Sequence, residues 1–160
     1  MAQFSCGTNA TFTPTASTTN LTGGGVAMPT AGQVGKVKMF NWGGDGTSLV
    51  GYISRIARVT TAPTGAATNG LIGLSSNPGA VPLATYPLVY ATTQPISVAD
   101  TSLFKQNWNV QGGGGAIVLP IGGEWCFLGG ALSTVYSQIA WGNVTGADAN
   151  LSNYGMTWEE

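Results

Sequence analysis

The stretch that decides the fold is "GGAIVLPIGGEWCFLGG", residues 114–130. It holds two apolar runs, "AIVLP" (116–120) and "EWCFLGG" (124–130), with a glycine-rich break between them. Short apolar runs bounded by turn signals are typical of buried β-strands. Pro120 has no N–H to donate and would end the first strand, and the glycines at 122–123 would supply the positive φ of a tight turn. The stretch predicts two central strands, buried on both faces or nearly so, joined by that turn.

The same alternation of apolar runs and turn signals continues along the chain. Strands are predicted over "KVKMFNW" (36–42), "PLVYATTQPIS" (87–97) and "STVYSQIAWGNV" (133–144). The segment "LVGYISRIARVTT" (49–61) also fits a helical stripe, but Gly51 and the β-branched residues favour a strand. Turn signals recur about every 8–12 residues and no long helical pattern appears, which is typical of an all-β sandwich or barrel.

Other segments are less regular. We interpret "NWGGDGTS" (41–48) as a loop and "VADTSLFKQNWNV" (98–110) as one helical turn or a short strand. Residues 1–35 are rich in Thr, Gly, Ala and Ser and show no sustained period. We therefore expect an extended N-terminal arm with one short strand near residues 10–13, followed by a single domain over 36–160. Arms of this composition commonly order against a neighbouring molecule.

The chain carries very little charge. Only 7% of its residues are charged, against about 25% in an ordinary domain, and the net charge is −1. Five scattered basic residues give no drive toward phosphate backbones, so a nucleic-acid partner is not expected. No apolar stretch approaches the ~18 residues of a membrane span, and the N-terminus lacks the pattern of a secretory signal. Such a composition suits a protein that works packed against copies of itself or a partner.

The residues needed for catalysis are sparse. The chain has no His, and of its six carboxylates only Glu159 and Glu160 are adjacent, at a chain end where we expect them to be solvated. Asp148 and Asn150 lack a third acid for a calcium loop, and the glycine-rich segment around Asp45 is interpreted as an ordinary turn. We therefore expect no enzyme activity, no cofactor and no metal. Cys6 and Cys126 are interpreted as free thiols, with a disulfide as the alternative.

Aromatic residues are the candidate interaction residues. Trp125 and Trp141 lie in apolar strands and are assigned to the core. Trp42, Trp108 and Trp158 lie beside Asn and Gly or in the tail, where exposed indoles would stack on sugar rings or contact another subunit. Two aromatic residues of the predicted arm join this set, which is Phe4, Phe12, Trp42, Trp108 and Trp158.

Three segments resemble a known family. They are "ISRIARVTTAPTGAATNGLIGLSS" (53–76), "YPLVYATTQPISVADTSLF" (86–104) and, above all, "GGAIVLPIGGEWCFLGGALSTVYSQIAWGNV" (114–144). In this order they resemble the small jelly-roll proteins of tailed-phage virions, especially capsid decoration (cement) and head-fibre proteins. The resemblance covers about residues 50–144 and is carried by the pattern of strands and turns, not by a diagnostic motif.

The resemblance implies a two-sheet jelly roll of about eight strands with an N-terminal arm. It further implies a protein made in the host cytoplasm that acts as a dimer or trimer on the outer capsid surface of a virion, where it would bridge neighbouring copies of the major capsid protein. The arm, residues 2–35, would reach a neighbouring subunit by adding a strand to its sheet. The alternative hypothesis is a carbohydrate-binding module of a virion fibre or tail, with a glycan as ligand.

Overall fold

The computed structural model describes residues 1–7, 24–45, 51–60, 67–68, 73–74, 79–84, 88–89, 97–109, 113–131, 136–145 and 151–160. The described residues form twelve β-strands and no helix. The strands are β1 (Gln3–Gly7), β2 (Gly24–Ala27), β3 (Val34–Asp45), β4 (Gly51–Val59), β5 (Ala67–Thr68), β6 (Gly73–Leu74), β7 (Leu88–Val89), β8 (Ser97–Asn109), β9 (Gly114–Val118), β10 (Trp125–Leu128), β11 (Gln138–Thr145) and β12 (Leu151–Glu159). The all-β prediction is confirmed.

Two antiparallel sheets pack face to face as a β-sandwich. The larger sheet has the order β6–β1–β12–β3, with β10 and β9 both paired to the remaining side of β3. The smaller sheet has the order β2–β11–β4–β8, and β5 pairs with β7. Each strand can bury one face and leave the other to solvent, because side chains alternate along a strand. The finer jelly-roll arrangement stays a prediction.

The core lies between the two sheets and is rich in aromatic rings. The Phe40 ring of β3 meets the edge of Trp141 from the smaller sheet at 5.5 Å, and stacks on Tyr154 of β12 at 5.8 Å. Trp141 is buried, as predicted. Trp125 is only half-buried, packed against the rim of this core. Aromatic pairs at these separations add to the stabilisation from apolar burial.

A β-bulge interrupts the alternation of β3. Thr157 of β12 lies opposite Met39 and the next residue, Trp158, lies opposite Val37, so Lys38 is the extra residue. A bulge of this kind shifts the side chains beyond it to the other face. Strict alternation predicts Val37 and Phe40 on opposite faces, whereas both are buried in the core.

The predicted central hairpin is an interrupted edge strand instead. β9 pairs with the second half of β3 and β10 with the first half, both along the same side. The tight turn at residues 120–123 is present, but it lies in a loop that leaves the sheet and returns to it. The expectation of two strands buried on both faces is wrong, because β12 occupies the other side of β3 and leaves β9 and β10 at the edge. Four of the five β9 residues are exposed.

The two described parts of the predicted N-terminal arm belong to the sandwich. β1 pairs along its whole length with β12, and also pairs with β6. β2 pairs with β11 in the other sheet. Phe4, Val26 and Met28 are buried in the core. A separate arm over 1–35 is therefore wrong for these segments, because their apolar side chains are covered by the chain's own sheets. The short strand expected near residues 10–13 lies outside the described residues.

Three strands are longer or more regular than the sequence predicts. β3 continues through Asp45 across the predicted loop, and β8 is one strand of thirteen residues over the segment interpreted as a helical turn or a short strand. β12 occupies Leu151–Glu159 of the polar C-terminal segment. The preference for a strand over 49–61 is confirmed by β4. The extra length of β3 pairs with β12 on one side and with β9 on the other. These pairings give its backbone groups hydrogen-bond partners, which the glycine-rich sequence does not predict.

Candidate interaction surface

The bulge at Lys38 lies opposite the loop of residues 119–124. On one side of β3 the bulge adds one residue relative to β12, and on the other side this loop separates β9 from β10. The Lys38 side chain reaches into both neighbouring segments. Its Nζ donates to Glu124 Oε1 at 2.8 Å and lies 3.5 Å from Glu159 Oε2. The loop is thus fixed to the sheet by a charge-assisted hydrogen bond.

Glu124 ties the loop together from its far end. Its Oε2 accepts the Gly122 N–H at 2.7 Å, and the carboxylate side chain is only 7% exposed. The hydrogen bond from Lys38, followed by the backbone N–H groups of Glu124 and Gly122, lowers the pKa of Glu124 to about 2. The same hydrogen bond raises the pKa of Lys38 above its ordinary value. Both groups are therefore charged over the whole neutral range.

The braced loop presents an isoleucine to solvent. The Gly123 N–H donates to the Pro120 carbonyl at 2.9 Å, and Gly122 has a φ of 85°. A positive φ at the third residue of a turn is the signature of type II, and it is the reason that a glycine stands there. The side chain of the second residue, Ile121, is 96% exposed. Two hydrogen bonds and an ion pair therefore hold a fully exposed apolar side chain in place.

A second group of exposed apolar side chains lies at one end of the sandwich. It is the end where β1, β3 and β11 begin and where β10 and β12 end. We call this group the apolar end; its members are Met1, Val34, Val81, Leu83, Leu128 and Tyr136. A cluster of exposed large apolar residues on a soluble fold marks an interaction site.

Backbone pairing brings three members of the apolar end together. Val34 lies opposite Leu128 in the register of β3 and β10. The Leu128 N–H donates to the Tyr136 carbonyl at 2.7 Å. The Arg58 guanidinium lies over the Tyr136 ring at 5.2 Å, and burial lowers the pKa of Arg58. Arg58 is thus partly shielded by the ring that it covers.

Glu160 holds the loop of residues 79–84 at the same end. Its carboxylate accepts the N–H groups of Leu83 (2.7 Å) and Ala84 (2.9 Å). It also accepts the indole N–H of Trp158 at 2.8 Å. The expectation that the terminal acids are solvated is therefore wrong for Glu160, and Glu159 lies beside Lys38. Glu160 therefore serves as a hydrogen-bond acceptor that fixes the backbone of the loop at Leu83 and Ala84.

The structure places the predicted aromatic residues inside the sandwich. Phe4 (2% exposed) stacks on Trp158 (0% exposed) with ring centroids 5.7 Å apart. Trp42 is half-buried between the rings of Phe40 and Phe104. Phe12 lies outside the described residues. An exposed position is wrong for Trp158, because its ring and that of Phe4 close the core between β1 and β12.

Trp108 is buried by a polar contact as well as by packing. Its indole N–H donates to Ser54 Oγ at 2.8 Å, and that oxygen lies 2.9 Å from the Tyr154 hydroxyl of the opposite sheet. A buried indole is stable where its N–H finds an acceptor, and Ser54 supplies one. The exposure predicted for Trp108 from its polar neighbours is therefore wrong, since Asn107 and Lys105 point to the other face.

Sequence reasoning missed the residues that are exposed. Val118, Ile121 and Leu128 were assigned to buried strands or their turn, whereas all three face solvent. The glycines before "AIVL" and the Pro120 that directly follows it are a signal that this segment borders the sheet, because proline is tolerated at edges and bulges and not in central strands.

The described residues contain no group of three or more His, Cys, Asp or Glu side chains placed to hold a metal ion. Cys126 is a free thiol. No helix long and apolar enough to cross a bilayer occurs in the described parts of the chain. Comparison of the chain with protein-family models, with curated proteins and with solved structures finds no match.

Proposed function

We propose that this chain is a structural protein of a tailed-phage virion. In this proposal it is a decoration, or cement, protein of jelly-roll type that binds the outside of the major capsid lattice. It is not an enzyme and uses no cofactor. Its task is to stabilise the lattice by non-covalent contacts, with the apolar end as the surface that meets the capsid.

The observation that carries the proposal is a group of exposed apolar side chains at one end of the sandwich, beside carboxylates that are engaged within the chain. Six exposed large apolar side chains form the apolar end. The carboxylates of Glu124, Glu159 and Glu160 are engaged with groups of their own chain. A surface of this kind binds by removing apolar area from water, not by charge.

Repetition over a lattice would make such small contacts sufficient. A single site of modest area gives weak binding, but a dimer or trimer that engages several capsid subunits gains from effective concentration. The low charge of the chain fits close packing of many copies on one shell, since repulsion between copies stays small.

The carbohydrate-binding alternative has lost the residues on which it was based. It required the indoles of Trp42, Trp108 and Trp158 as an exposed platform. In the sandwich Trp108 and Trp158 are buried and Trp42 is half-buried among other rings. We therefore retain one proposed function.

Particles of the virus that encodes this chain provide the test. Particles made without the chain would be mixed with the purified protein, and binding would be measured by co-sedimentation. We expect Leu83→Asp to weaken binding about tenfold or more, equivalent to about 1.4 kcal/mol. Ser102→Asp, at an exposed position of β8, is the matched control and should bind like the unaltered protein.

Two further readouts decide the position and the role. Cryo-electron microscopy of complete particles should show the protein as symmetric density on the capsid shell. Particles without it should release DNA at a lower temperature. Density at a tail tip, or equal heat resistance with and without the protein, would contradict the proposal.

A further inference from the structure

We propose that two copies of this chain pair through β9, in antiparallel order, so that their larger sheets join into one continuous sheet. β9 lies at the edge of that sheet and pairs with β3 on one side only. No strand in the described part of the chain pairs with its other side. This interface is separate from the apolar end and does not depend on a role in a virion.

The backbone of β9 offers a regular set of donors and acceptors. The Leu119 N–H donates to the Lys38 carbonyl at 2.8 Å, so residue 119 directs its backbone groups toward β3. Backbone groups of successive residues in an antiparallel strand point to alternate sides. Gly114, Ala116 and Val118 therefore direct their N–H and C=O groups away from β3, toward the open edge.

A twofold axis at Ala116 uses all of these groups. In that register Ala116 faces Ala116 of the second copy, and Gly114 faces Val118 of the second copy. The pairing forms about six N–H···O bonds. It is isologous, as a twofold interface requires, because the same patch serves both partners.

The side chains of β9 fit a second copy. Val118 is 71% exposed and would pack over Gly114 of the other copy, where no side chain competes for the space. The outward-facing residues between them are alanines. The large residue of one strand thus meets the small residue of the other, and the apolar area of Val118 is removed from water.

The β9 edge also lacks most of the features that prevent an edge strand from pairing with a strand of another molecule. Natural edge strands carry charges, prolines or bulges that block pairing. No charged residue occurs from Gln106 to Gly123, and the net charge of −1 gives little repulsion between copies. By contrast, β8 carries the exposed Lys105, and the outer side of β10 is occupied where Leu128 bonds to Tyr136. Pro120 limits the pairing to the five residues of β9.

Cross-linking of the full chain tests the register. Paired residues of this type have Cα atoms about 5.5 Å apart, within reach of a disulfide. Ala116→Cys should give a covalent dimer on mild oxidation. Val118→Cys, on the same strand, is the matched control, because the two copies of residue 118 would lie too far apart. The unaltered chain, which already contains Cys6 and Cys126, gives the background.

Sedimentation velocity over a concentration series tests the association itself. The unaltered chain should approach twice its 16.3 kDa mass, and Val118→Lys should weaken the dimer about tenfold or more. Leu128→Lys, which alters the apolar end, should leave the dimer intact. If Val118→Lys fails to fold by circular dichroism, the cysteine pair still decides. A monomer at every soluble concentration, or equal cross-linking of both cysteine variants, would overturn the proposal.

The two lysine variants also separate this inference from the proposed function. Loss of the dimer in Val118→Lys with unchanged capsid binding would support the β9 interface and show that capsid binding does not depend on it. Loss of capsid binding by Leu128→Lys with an intact dimer would support both proposals independently.

Discussion

Strand β1 is paired on both sides, to β12 and to β6, whereas β9 is paired to β3 alone. Both strands have five residues and belong to the same sheet. Phe4 of β1 is 2% exposed and lies on Trp158, while Val118 of β9 is 71% exposed. Burial in this sheet therefore follows from the number of neighbouring strands and from the face that a residue occupies. The apolar character of the strand itself is a poor guide.

The largest expected effect comes from truncating the β1 side of this comparison. Phe4→Ala should lower the free energy of unfolding by about 3–5 kcal/mol, because the cavity would lie against Trp158 in the core. Val118→Ala, on β9, should change it by less than about 0.5 kcal/mol. Urea unfolding followed by tryptophan fluorescence measures both. Equal effects of the two variants would show that Phe4 is no more buried than Val118, as expected if residues 1–35 formed a separate arm.

A smaller effect is expected where the edge strand β10 ends. A Cβ on Gly129 would lie 1.6 Å from the Thr30 carbonyl oxygen, so the backbone itself must move. Gly129→Ala should therefore cost about 1–3 kcal/mol. A Cβ on the adjacent Gly130 meets nothing within 4 Å, so Gly130→Ala should stay within about 0.5 kcal/mol. Thermal melts of the two variants show whether the backbone at the end of β10 is packed as tightly as the interior of the sheet.

The smallest effect concerns the ion pair that braces the exposed loop. The pKa of Glu124 is about 2 in the folded chain, against an ordinary value of 4.5. A lowered pKa stabilises the folded state above pH 4.5, and this contribution is lost as the pH falls toward 2. Glu124→Gln should lower the Tm at neutral pH by less than Gly129→Ala does. The difference from the unaltered chain should shrink in acid.

Acid titration of the Tm gives the measurement, with Lys105→Gln at an exposed position of β8 as the control for a lost charge. A difference that is constant from neutral pH to pH 2 would show that the Lys38 pair does not brace the loop. In that case the exposed position of Ile121 would depend on the turn alone.

The class of the fold and several local features can be predicted from the order of residues along the chain. Short apolar runs between turn signals identified β3, β4 and β11 as strands, and the Pro-Ile-Gly-Gly turn lies where proline and glycine predict it. The buried Trp141 followed from its apolar strand. These features depend on neighbours in the chain, so local pattern is sufficient to find them.

Whether a strand lies inside a sheet or at its edge depends on pairings that form only in the folded chain. Phe4 is buried because β12, from the opposite end of the chain, pairs with β1, and Trp108 is buried because Ser54 accepts its N–H. Val118 is exposed because it lies on the outer face of β9, opposite to Ile117 that packs against the core, and because no described strand pairs with the second side of β9. Local sequence pattern predicts a strand, and every strand has two faces and two edges. Which of them is covered depends on pairings between distant segments, and no local pattern contains that information.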